Sequence, residues 1–500
     1  MTIKKILIAN RGEIAVRIMR SAKEMGIVTV AVYSSADVQA QHVLTADEAY
    51  WIGEAPSSES YLKGDLIIQT ALKAGAEAIH PGYGFLSENE GFAQAVREAG
   101  LIFIGPSPES IRAMGDKLRA KDTARKSGVP LVPGSKAAIH TIAEAIEASK
   151  ETGFPLLIKA SAGGGGKGMR VVEEESELAS QMEMAMREAQ SAFGDPTVFI
   201  ERYVQNPKHI EIQIIGDQQG NVVHLFERDC SIQRRHQKVV EEAPSGILTP
   251  EVREAMGRDA VNLAKQCGYY STGTVEFIVD EQLRYYFLEM NTRLQVEHPV
   301  TELITGLDLV KQQIKVAQGE VLGPEVTQVK MRGHAIEIRI CAEDPNNNFS
   351  PDVGRLSRFG IPQGPGIRLD SGYVEGDEIP LFYDPLMAKL IVFAENRTSA
   401  IQRMEQAICN FDLRGVSNTL EFCKWVMQHP DFQTGWFDTH FIAKKYKPEM
   451  LEPELQPAEI NALAAGLVEI LDKQQRTSVQ TVKPSDKQYS HWRKNRVAFR

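Results

Sequence analysis

The sequence predicts a multidomain protein of α/β and α+β class. The chain has 500 residues, of which 43% are hydrophobic and 24% charged, and this length suits roughly two to four domains, each with its own core. The first hundred residues alternate short apolar runs with helical patterns. Residues 330–393, by contrast, are rich in strand-like runs separated by turn signals such as Gly364-Pro-Gly. The two patterns predict different architectures at the two ends of the chain.

The N-terminal alternation begins with the apolar run Ile3–Ala9, a helical spacing of apolar residues, and a second run, Val28–Val32. This order is a βαβ unit, and its continuation to residue 104 predicts a parallel sheet covered by helices. We therefore expect a Rossmann-like domain over residues 1–115. The turn after the first strand, Ala9–Glu13, lacks the GxGxxG spacing of a dinucleotide site, so NAD is not expected.

A second domain is expected over residues 116–325, with a compact α+β insert at about 135–203. The insert contains the stretch SAGGGGKGMR at 161–170. A P-loop would need Ser or Thr after Lys167, but Gly168 follows. Because strand-like runs flank the stretch, it predicts a hairpin, and the glycines at its tip would let backbone N–H groups approach phosphate. A flexible surface hairpin without a ligand is the alternative.

Two lysines accompany this glycine stretch. Lys159 closes the apolar strand before it, where an unpaired lysine would be costly unless it met an anion. Lys117 begins the charged helix after the first domain. Two lysines and a glycine flap could together neutralise a triphosphate.

Two acidic residues are embedded in neighbouring apolar runs that together read as a β-hairpin. Glu276 lies in the first run, and Glu289 and Asn291 lie two positions apart in the second. The second pair therefore shares a face, which Glu276 could oppose across the hairpin. Oxygen ligands of this kind suit Mg²⁺ or Mn²⁺ held together with phosphates. A solvated acid at a sheet edge is the alternative.

The next residues alternate in the same way: Arg293, Gln295 and Glu297 would share one surface if the chain stays extended. The guanidinium and amide can hold a planar oxyanion, and the carboxylate can take a proton from it. An exposed Arg–Glu pair is the alternative. Upstream, residues 228–244 are densely charged, and His236 and Lys238 would share a face if extended. Taken alone, such a run is more typical of solvated surface.

Composition narrows the function classes. The net charge of −10 argues against wholesale nucleic-acid binding, and five scattered cysteines without a CxxC pair indicate neither a disulfide framework nor a zinc site. There is no signal-peptide pattern and no apolar run long enough to span a bilayer. We expect a cytoplasmic protein that binds neither nucleic acid nor membrane.

Several motifs occur in a characteristic order: IANRGEIAVRI, HPGYGFLSEN, MGDK, IKASAGGGGKGMR, RDCSIQRRHQKVVEEAP and EMNTRLQVEHPVTE. In these motifs the sequence resembles the ATP-grasp ligases, and specifically the biotin carboxylases, over roughly residues 3–447. The resemblance implies an ATP-grasp central domain, in which the insert at about 135–203 is a mobile lid subdomain. It also implies a strand-rich biotin carboxylase C-terminal domain over 330–447, followed by a helical and basic tail over 448–500.

The resemblance implies ATP-dependent carboxylation of biotin by bicarbonate through carboxyphosphate, with Mg²⁺ or Mn²⁺. By position, ATP would be held by Lys117, Lys159, Gly163, Gly164, Gly165, Gly166, Glu201, Val204, His209, Gln233, His236, Glu276 and Glu289. The metal would be bound by Glu276, Glu289 and Asn291, and bicarbonate by Lys238, Arg293, Gln295 and Val296. Glu297 would be the base, with Lys238, Arg293 and Arg339 as the other catalytic residues. Biotin would contact Tyr83 and Arg339.

The same resemblance implies a homodimer that acts with a separate biotin carboxyl carrier protein and a separate carboxyltransferase, because no Met-Lys-Met attachment sequence occurs. The final acceptor would be an acyl-CoA or, alternatively, pyruvate. The basic tail at 483–500 would either dock a partner or be disordered. Two other functions stay open: another ATP-grasp ligase, such as half of a carbamoyl-phosphate synthetase, and a non-catalytic nucleotide-binding regulator.

Overall fold

The computed structural model describes residues 2–135, 137–160, 169–451 and 464–471. It divides into two compact units, 1–448 and 449–500. In the second unit, residues 464–471 form a helix with exposed side chains. The glycine tip at 163–166 and the basic tail at 483–500 lie outside the described residues. No helix of the described ranges is both long and apolar enough to cross a membrane.

The N-terminal part is a five-stranded parallel sheet in the order β3-β2-β1-β4-β5. Its elements are β1 (Lys5–Ile8), α1 (Gly12–Glu24), β2 (Val28–Tyr33), α2 (Gln41–Thr45), β3 (Glu48–Trp51), α3 (Gly64–Ala74), β4 (Ala78–His80), α4 (Glu90–Glu98), β5 (Ile102–Phe103) and α5 (Pro108–Gly115). The Rossmann-like prediction is therefore confirmed. The sequence pattern did not reveal β3, because that short edge strand is only half buried.

The next part is a small α+β layer, in which the three-stranded antiparallel sheet β7-β6-β8 packs against two helices. Its elements are α7 (Ile142–Thr152), β6 (Leu156–Ala160), β7 (Arg170–Val172), α8 (Glu175–Phe193) and β8 (Val198–Arg202). Helix α6 (Lys117–Lys126) precedes the layer and packs into the core of the central sheet. The predicted hairpin is present, since Leu156 pairs with Val172 and Ile158 with Arg170.

An eight-stranded antiparallel sheet in the order β13-β12-β9-β10-β11-β14-β21-β19 forms the centre of the first unit. Its first elements are β9 (Lys208–Gly216), β10 (Val222–Arg234), β11 (Gln237–Ala243), α9 (Pro250–Gln266), β12 (Ser271–Val279), β13 (Tyr285–Asn291), α10 (His298–Thr305), α11 (Leu309–Ala317), α12 (Pro324–Thr327) and β14 (His334–Cys341). Strand β14 pairs directly with β11. The main-chain hydrogen bonding is therefore continuous between the central and the C-terminal strands.

The remaining elements complete the C-terminal part, which is strand-rich as predicted. They are β15 (Glu343–Asp344), β16 (Ser350–Pro351), β17 (Gly354–Arg355), β18 (Arg358–Gly360), β19 (Ile367–Ser371), β20 (Glu378–Ile379), β21 (Leu386–Ala394), α13 (Arg397–Cys409), β22 (Asp412–Arg414), α14 (Leu420–Gln428), α15 (Pro430–Thr434) and α16 (Phe441–Lys445).

Candidate active site

A cavity of about 1050 Å³ opens over the central sheet. Its lining comes from the loop after β1, from β6 and β8, and from strands β9 to β14. Most of the predicted site residues lie on its wall, namely Tyr83, Lys159, Glu201, Val204, His209, Gln233, His236, Lys238, Glu276, Glu289, Asn291, Arg293, Gln295, Val296, Glu297 and Arg339. Of the two predictions outside this set, Lys117 begins α6 but its side chain is not described, and Gly163 to Gly166 are likewise not described.

Lys238 is the hub of the acidic half of this cavity. Its Nζ donates hydrogen bonds to Glu211 Oε2 at 2.5 Å, Glu276 Oε1 at 3.0 Å and Glu297 Oε1 at 2.7 Å. Burial alone would lower the pKa of Lys238, but the three carboxylates raise it well above its usual value. Lys238 is therefore a fixed cation that gathers three acids from three different elements.

Glu211 was not predicted, although it occupies the centre of the cluster. It is fully buried on β9, directly opposite Glu276 on β12. The signal that revealed Glu276, an acid within an apolar run, is also present in the β9 sequence KHIEIQIIG. Glu211, His209 and Glu276 each bring a ligand atom within 4.8 Å of the others.

The densely charged run at 228–244 is mostly buried, contrary to the expectation from the run alone, and only residues 235–237 at its turn are exposed. It forms β10 and β11, and Arg228 is completely buried. Arg228 donates to Glu211, to Gln213 Oε1 at 2.6 Å and to Gln295 Oε1 at 2.7 Å. Burying a guanidinium is tolerable only with such partners, and here they fix the floor of the site.

His236 does not lie on the same strand face as Lys238. It occupies the two-residue turn between β10 and β11, with a φ of +68°, and its neighbour Arg235 has a φ of +49°. This turn shape matches the right-handed twist of the strands it joins. His236 therefore reaches the cavity from a hairpin tip, whereas Lys238 reaches it from the strand.

The predicted acidic hairpin is confirmed in register: Glu276 pairs with Glu289, and Thr274 with Asn291. Asn291 donates to Glu276 Oε1 at 2.9 Å. The Glu289 side chain is exposed to the cavity and has no hydrogen-bond or ion-pair partner among the described residues. Loss of hydration within the cavity and the adjacent Glu276 raise the pKa of Glu289. An acid in this position favours a bound cation, which would relieve that repulsion.

Residues 292–297 form a loop and turn rather than the extended strand expected after β13. The three alternating side chains meet the cluster nonetheless. Gln295 Nε2 donates to Glu276 Oε1 at 2.7 Å, and Arg293 donates to Asn291 Oδ1 at 2.9 Å and to Glu88 Oε2 at 3.0 Å. The loop thus places a guanidinium and an amide above the acidic floor.

Glu297 ends this loop at the N-terminus of α10. It accepts hydrogen bonds from Lys238 at 2.7 Å and from Arg339 Nη2 at 3.0 Å. Burial alone would raise the pKa of Glu297, but Lys238 and Arg339 hold it well below its usual value. The resting carboxylate is ionised and can accept a proton from an acid placed beside it.

The wall beyond Glu297 contains the predicted biotin contacts. Tyr83 donates to Glu13, and Lys389 Nζ lies 3.3 Å from Glu13 Oε1 and donates to the Val296 carbonyl at 2.7 Å. Arg339 Nε donates to Glu241 Oε1 at 2.6 Å. Glu13, Glu241 and Lys389 were not predicted.

At the opposite end, Glu201 joins two lysines. It accepts from Lys159 at 2.5 Å and from Lys121, a cavity residue that was not predicted. Burial would raise the pKa of Glu201, but the two lysines lower it to about 2. The anion that Lys159 meets is thus a residue of the protein itself. Nearby, His209 Nε2 lies 2.9 Å from Glu276 Oε2, and Gln233 donates to the Cys230 carbonyl at 2.8 Å.

Family models match almost the entire first unit. The biotin carboxylase N-terminal domain matches residues 2–111, the carbamoyl-phosphate synthase L chain ATP-binding domain matches 116–325, and the biotin carboxylase C-terminal domain matches 337–444. The biotin carboxylase of Nostoc sp. is 51% identical over 447 residues, covering 89% of this chain and all of the relative. The chain belongs to the biotin carboxylase family. It is an ATP-grasp ligase.

Two further relatives show the range of this biotin carboxylase family. A pyruvate carboxylase subunit of Methanothermobacter thermautotrophicus is 52% identical over 438 residues, covering 88% of this chain and 89% of the relative. A crystal structure of the biotin carboxylase domain dimer of Hydrogenobacter thermophilus 2-oxoglutarate carboxylase, in complex with MgADP, ADP and bicarbonate, has a TM-score of 0.84 and 49% identity. It covers 91% of this chain and 100% of that one.

Proposed function

We propose that this chain carboxylates the N1′ atom of biotin with bicarbonate and ATP in the cavity described above. One observation carries the proposal: Lys238, Glu297 and Arg339 form a continuous hydrogen-bonded series beside the acidic pair Glu276 and Glu289. This arrangement offers a base between two cations next to a place for metal and phosphate, which is what activation of a weakly acidic oxyanion requires.

The nucleotide would lie between the lid hairpin and the central sheet. Lys117, Lys159 and the glycines at 163–166 would neutralise phosphate, with His209, Gln233 and His236 along the same wall and Glu201 and Val204 at the adenine end. The Lys159–Glu201 contact would loosen on binding, because phosphate competes for the ammonium group. Glu276, Glu289 and Asn291 offer only oxygen ligands to a cation, and such a set fits Mg²⁺ or Mn²⁺. A cation held there would stabilise the charge on the phosphate that is transferred.

Bicarbonate would bind between Lys238 and the loop at 293–296, held by the Arg293 guanidinium, the Gln295 amide and the Val296 backbone. Glu297 would remove its proton, and the resulting oxygen would attack the γ-phosphate to give carboxyphosphate and ADP. Lys238 would stabilise the anion throughout, since three carboxylates keep it charged.

Carboxyphosphate would then release CO₂ and phosphate, and the phosphate would take the N1′ proton of biotin. Arg339 would stabilise the negative charge on the ureido oxygen, the kind of electrostatic contribution that is often large in catalysis. Tyr83 would line the biotin side. Carboxylation of N1′ completes the half-reaction.

The biotin substrate would be carried by a separate carrier protein, and a carboxyltransferase would pass the carboxyl group to an acyl-CoA or to pyruvate. We further propose a cytoplasmic homodimer, with domains at 1–115, 116–325 and 330–447 and a tail at 448–500. The family relationship supports the partners, the homodimer and the three domains.

The test is ADP release by the purified chain with Mg²⁺, bicarbonate and free biotin, each omitted in turn. The proposal expects rapid turnover only in the complete mixture and carboxybiotin in proportion to ADP. Turnover that ignores biotin at every concentration would contradict it and favour a different ATP-grasp ligase.

A further inference from the structure

The carboxyl group of Glu337, near Arg339, has no role in the reaction proposed above. Glu337 is on β14, two residues before Arg339, and is completely buried. Both of its carboxylate oxygens lack a hydrogen-bond partner among the described residues. An ionised carboxylate in such a place would be very costly, so its state requires an explanation.

The charges around Glu337 do not neutralise it. Those facing it are Glu241 on β11, Lys389 on β21, Arg339 on its own strand and Glu297 at the start of α10; His298 on α10 is kept neutral by burial. Each neighbouring carboxylate already touches a cation: Glu241 pairs with Arg339, Glu297 with Lys238 and Arg339, and Glu13 with Lys389. Lys389 is further committed to the Val296 carbonyl. Within the part of the chain that the structure describes, no cation is left for Glu337.

Glu241 has the complementary deficiency. It lies directly opposite Glu337 in the β11–β14 pairing, so the two side chains share a face of the sheet. Its Oε1 accepts from Arg339 Nε at 2.6 Å, but its Oε2 is buried and no described residue donates to it. One acceptor without a donor thus faces one acid without a partner.

We propose that Glu337 is a protonated carboxylic acid whose O–H donates to Oε2 of Glu241, and that it acts as a positioning residue for Arg339. A single proton satisfies both carboxyl groups, and the Glu241 anion then keeps Arg339 Nε fixed. Nη2 of Arg339 is held by Glu297, while Nη1 stays available to the biotin ureido oxygen. The inference rests on the proposed function only for the identity of that ligand.

The protonation states agree with this geometry. Burial raises the pKa of Glu337 well above its usual value; Lys389 opposes this effect and nearby Glu241 adds to it. Burial also raises the pKa of Glu241, to about 7, against the opposing effect of Arg339. Near neutral pH the pair therefore holds at least one proton, and the higher pKa of Glu337 places that proton on Glu337.

Two variants of nearly equal size separate the donor from its charge. Glu337→Gln stays neutral and keeps an N–H donor, so we expect kcat/KM for biotin to stay within about threefold of wild type. Glu337→Leu removes the donor and should lower kcat/KM for biotin on the order of tenfold or more. In both variants, bicarbonate-dependent ATP hydrolysis without biotin should change by less than about threefold, because Lys238 and Glu297 remain paired.

Infrared spectroscopy of the substrate-free protein tests the proton itself. The difference spectrum between wild type and Glu337→Gln should show a protonated carboxyl band at neutral pH that shifts in D₂O. Absence of that band would overturn the proposal. So would an equal loss of kcat/KM for biotin in the Gln and Leu variants, or an equal loss in the biotin-dependent and biotin-independent reactions. If wild type fails to carboxylate biotin, the proposed function fails, and the spectrum still decides whether Glu337 holds the proton.

Discussion

Two of the buried ionic clusters in the first unit differ in whether all of their charged groups have partners. The anchor cluster consists of Arg17, Glu302, Arg368 and Asp370, and the site cluster consists of Glu211, Lys238, Glu276, Glu297 and Arg339. In the anchor cluster Glu302 accepts from Arg17 and from Arg368, both at 2.7 Å, and Arg368 also pairs with Asp370 at 2.6 Å. Its two guanidinium groups face these two carboxylates and also Asp308, which lies 3.1 Å from Arg17, so every charge in the cluster has a partner. None of the four residues lines the cavity.

The site cluster adjoins an acid that has no partner in the described part of the chain. Lys238 contacts three carboxylates, together with Arg228 at Glu211 and Arg339 at Glu297, but Glu289 next to it has no partner among the described residues. Four members of the cluster line the cavity, all except Glu211. The difference teaches that burial of charge does not by itself mark a site. A charged group without a protein partner marks a site, because a bound ligand can supply the missing counter-charge.

The largest expected effect comes from the site cluster. Glu297→Gln removes the proposed base without changing its shape, so turnover should fall by about 10² to 10⁴-fold. Nucleotide affinity, measured by equilibrium titration, should change little, because the lysines and acids of the nucleotide wall are untouched. A comparable loss in nucleotide affinity would mean that Glu297 holds the structure instead.

Breaking the anchor cluster should act on stability. Glu302→Gln removes the counter-charge that Arg17 and Arg368 share, while Asp308 and Asp370 remain beside them, so the substitution should cost about 3 kcal/mol of unfolding free energy. Urea titration measures this loss. The matched control is Glu325→Gln at an exposed pair with Lys315, where less than about 1 kcal/mol is expected. Equal effects of the two substitutions would show that the buried cluster is not an anchor.

Another buried carboxylate with cationic partners, Glu242, predicts that the free energy of unfolding depends on pH. Burial would raise the pKa of Glu242, but Arg397 and His334 lower it to about 2 from its ordinary 4.5. Because the pKa of Glu242 is lower in the folded than in the unfolded protein, ionised Glu242 stabilises the fold by about 3 kcal/mol above pH 4.5. This contribution is lost as the pH falls from about 4.5 to about 2. The stability difference between wild type and Glu242→Gln should therefore shrink only in that acid range. A difference that stays constant there would contradict the assignment.

The smallest effect should have the opposite sign. Glu289→Gln removes repulsion with Glu276 and should raise stability, by less than about 1 kcal/mol because solvent screens the exposed group. The same change should weaken Mg²⁺-dependent nucleotide binding on the order of tenfold or more. Thermal unfolding and nucleotide titration at varied Mg²⁺ measure the two effects. A variant that is less stable yet binds normally would refute the metal role.

Local patterns revealed much of this architecture. Alternation predicted the parallel N-terminal sheet and the β12–β13 hairpin, because both depend on neighbouring segments. Lys121 and Arg228 were missed, since their importance follows from partners that only the folded sheet brings near. The pairing of β11 with β14 joins segments about 90 residues apart, and no local pattern specifies it. Glu241 and Glu337 face each other only through that pairing.

The most direct measurement follows oxygen from bicarbonate. If Glu297 activates bicarbonate for attack on the γ-phosphate, reaction of ¹⁸O-labelled bicarbonate with ATP and biotin should place one labelled oxygen in each phosphate released. The Glu297→Gln variant should release almost no labelled phosphate. Unlabelled phosphate from wild type, formed at the same rate as ADP, would mean that water attacks ATP, and it would contradict the central claim.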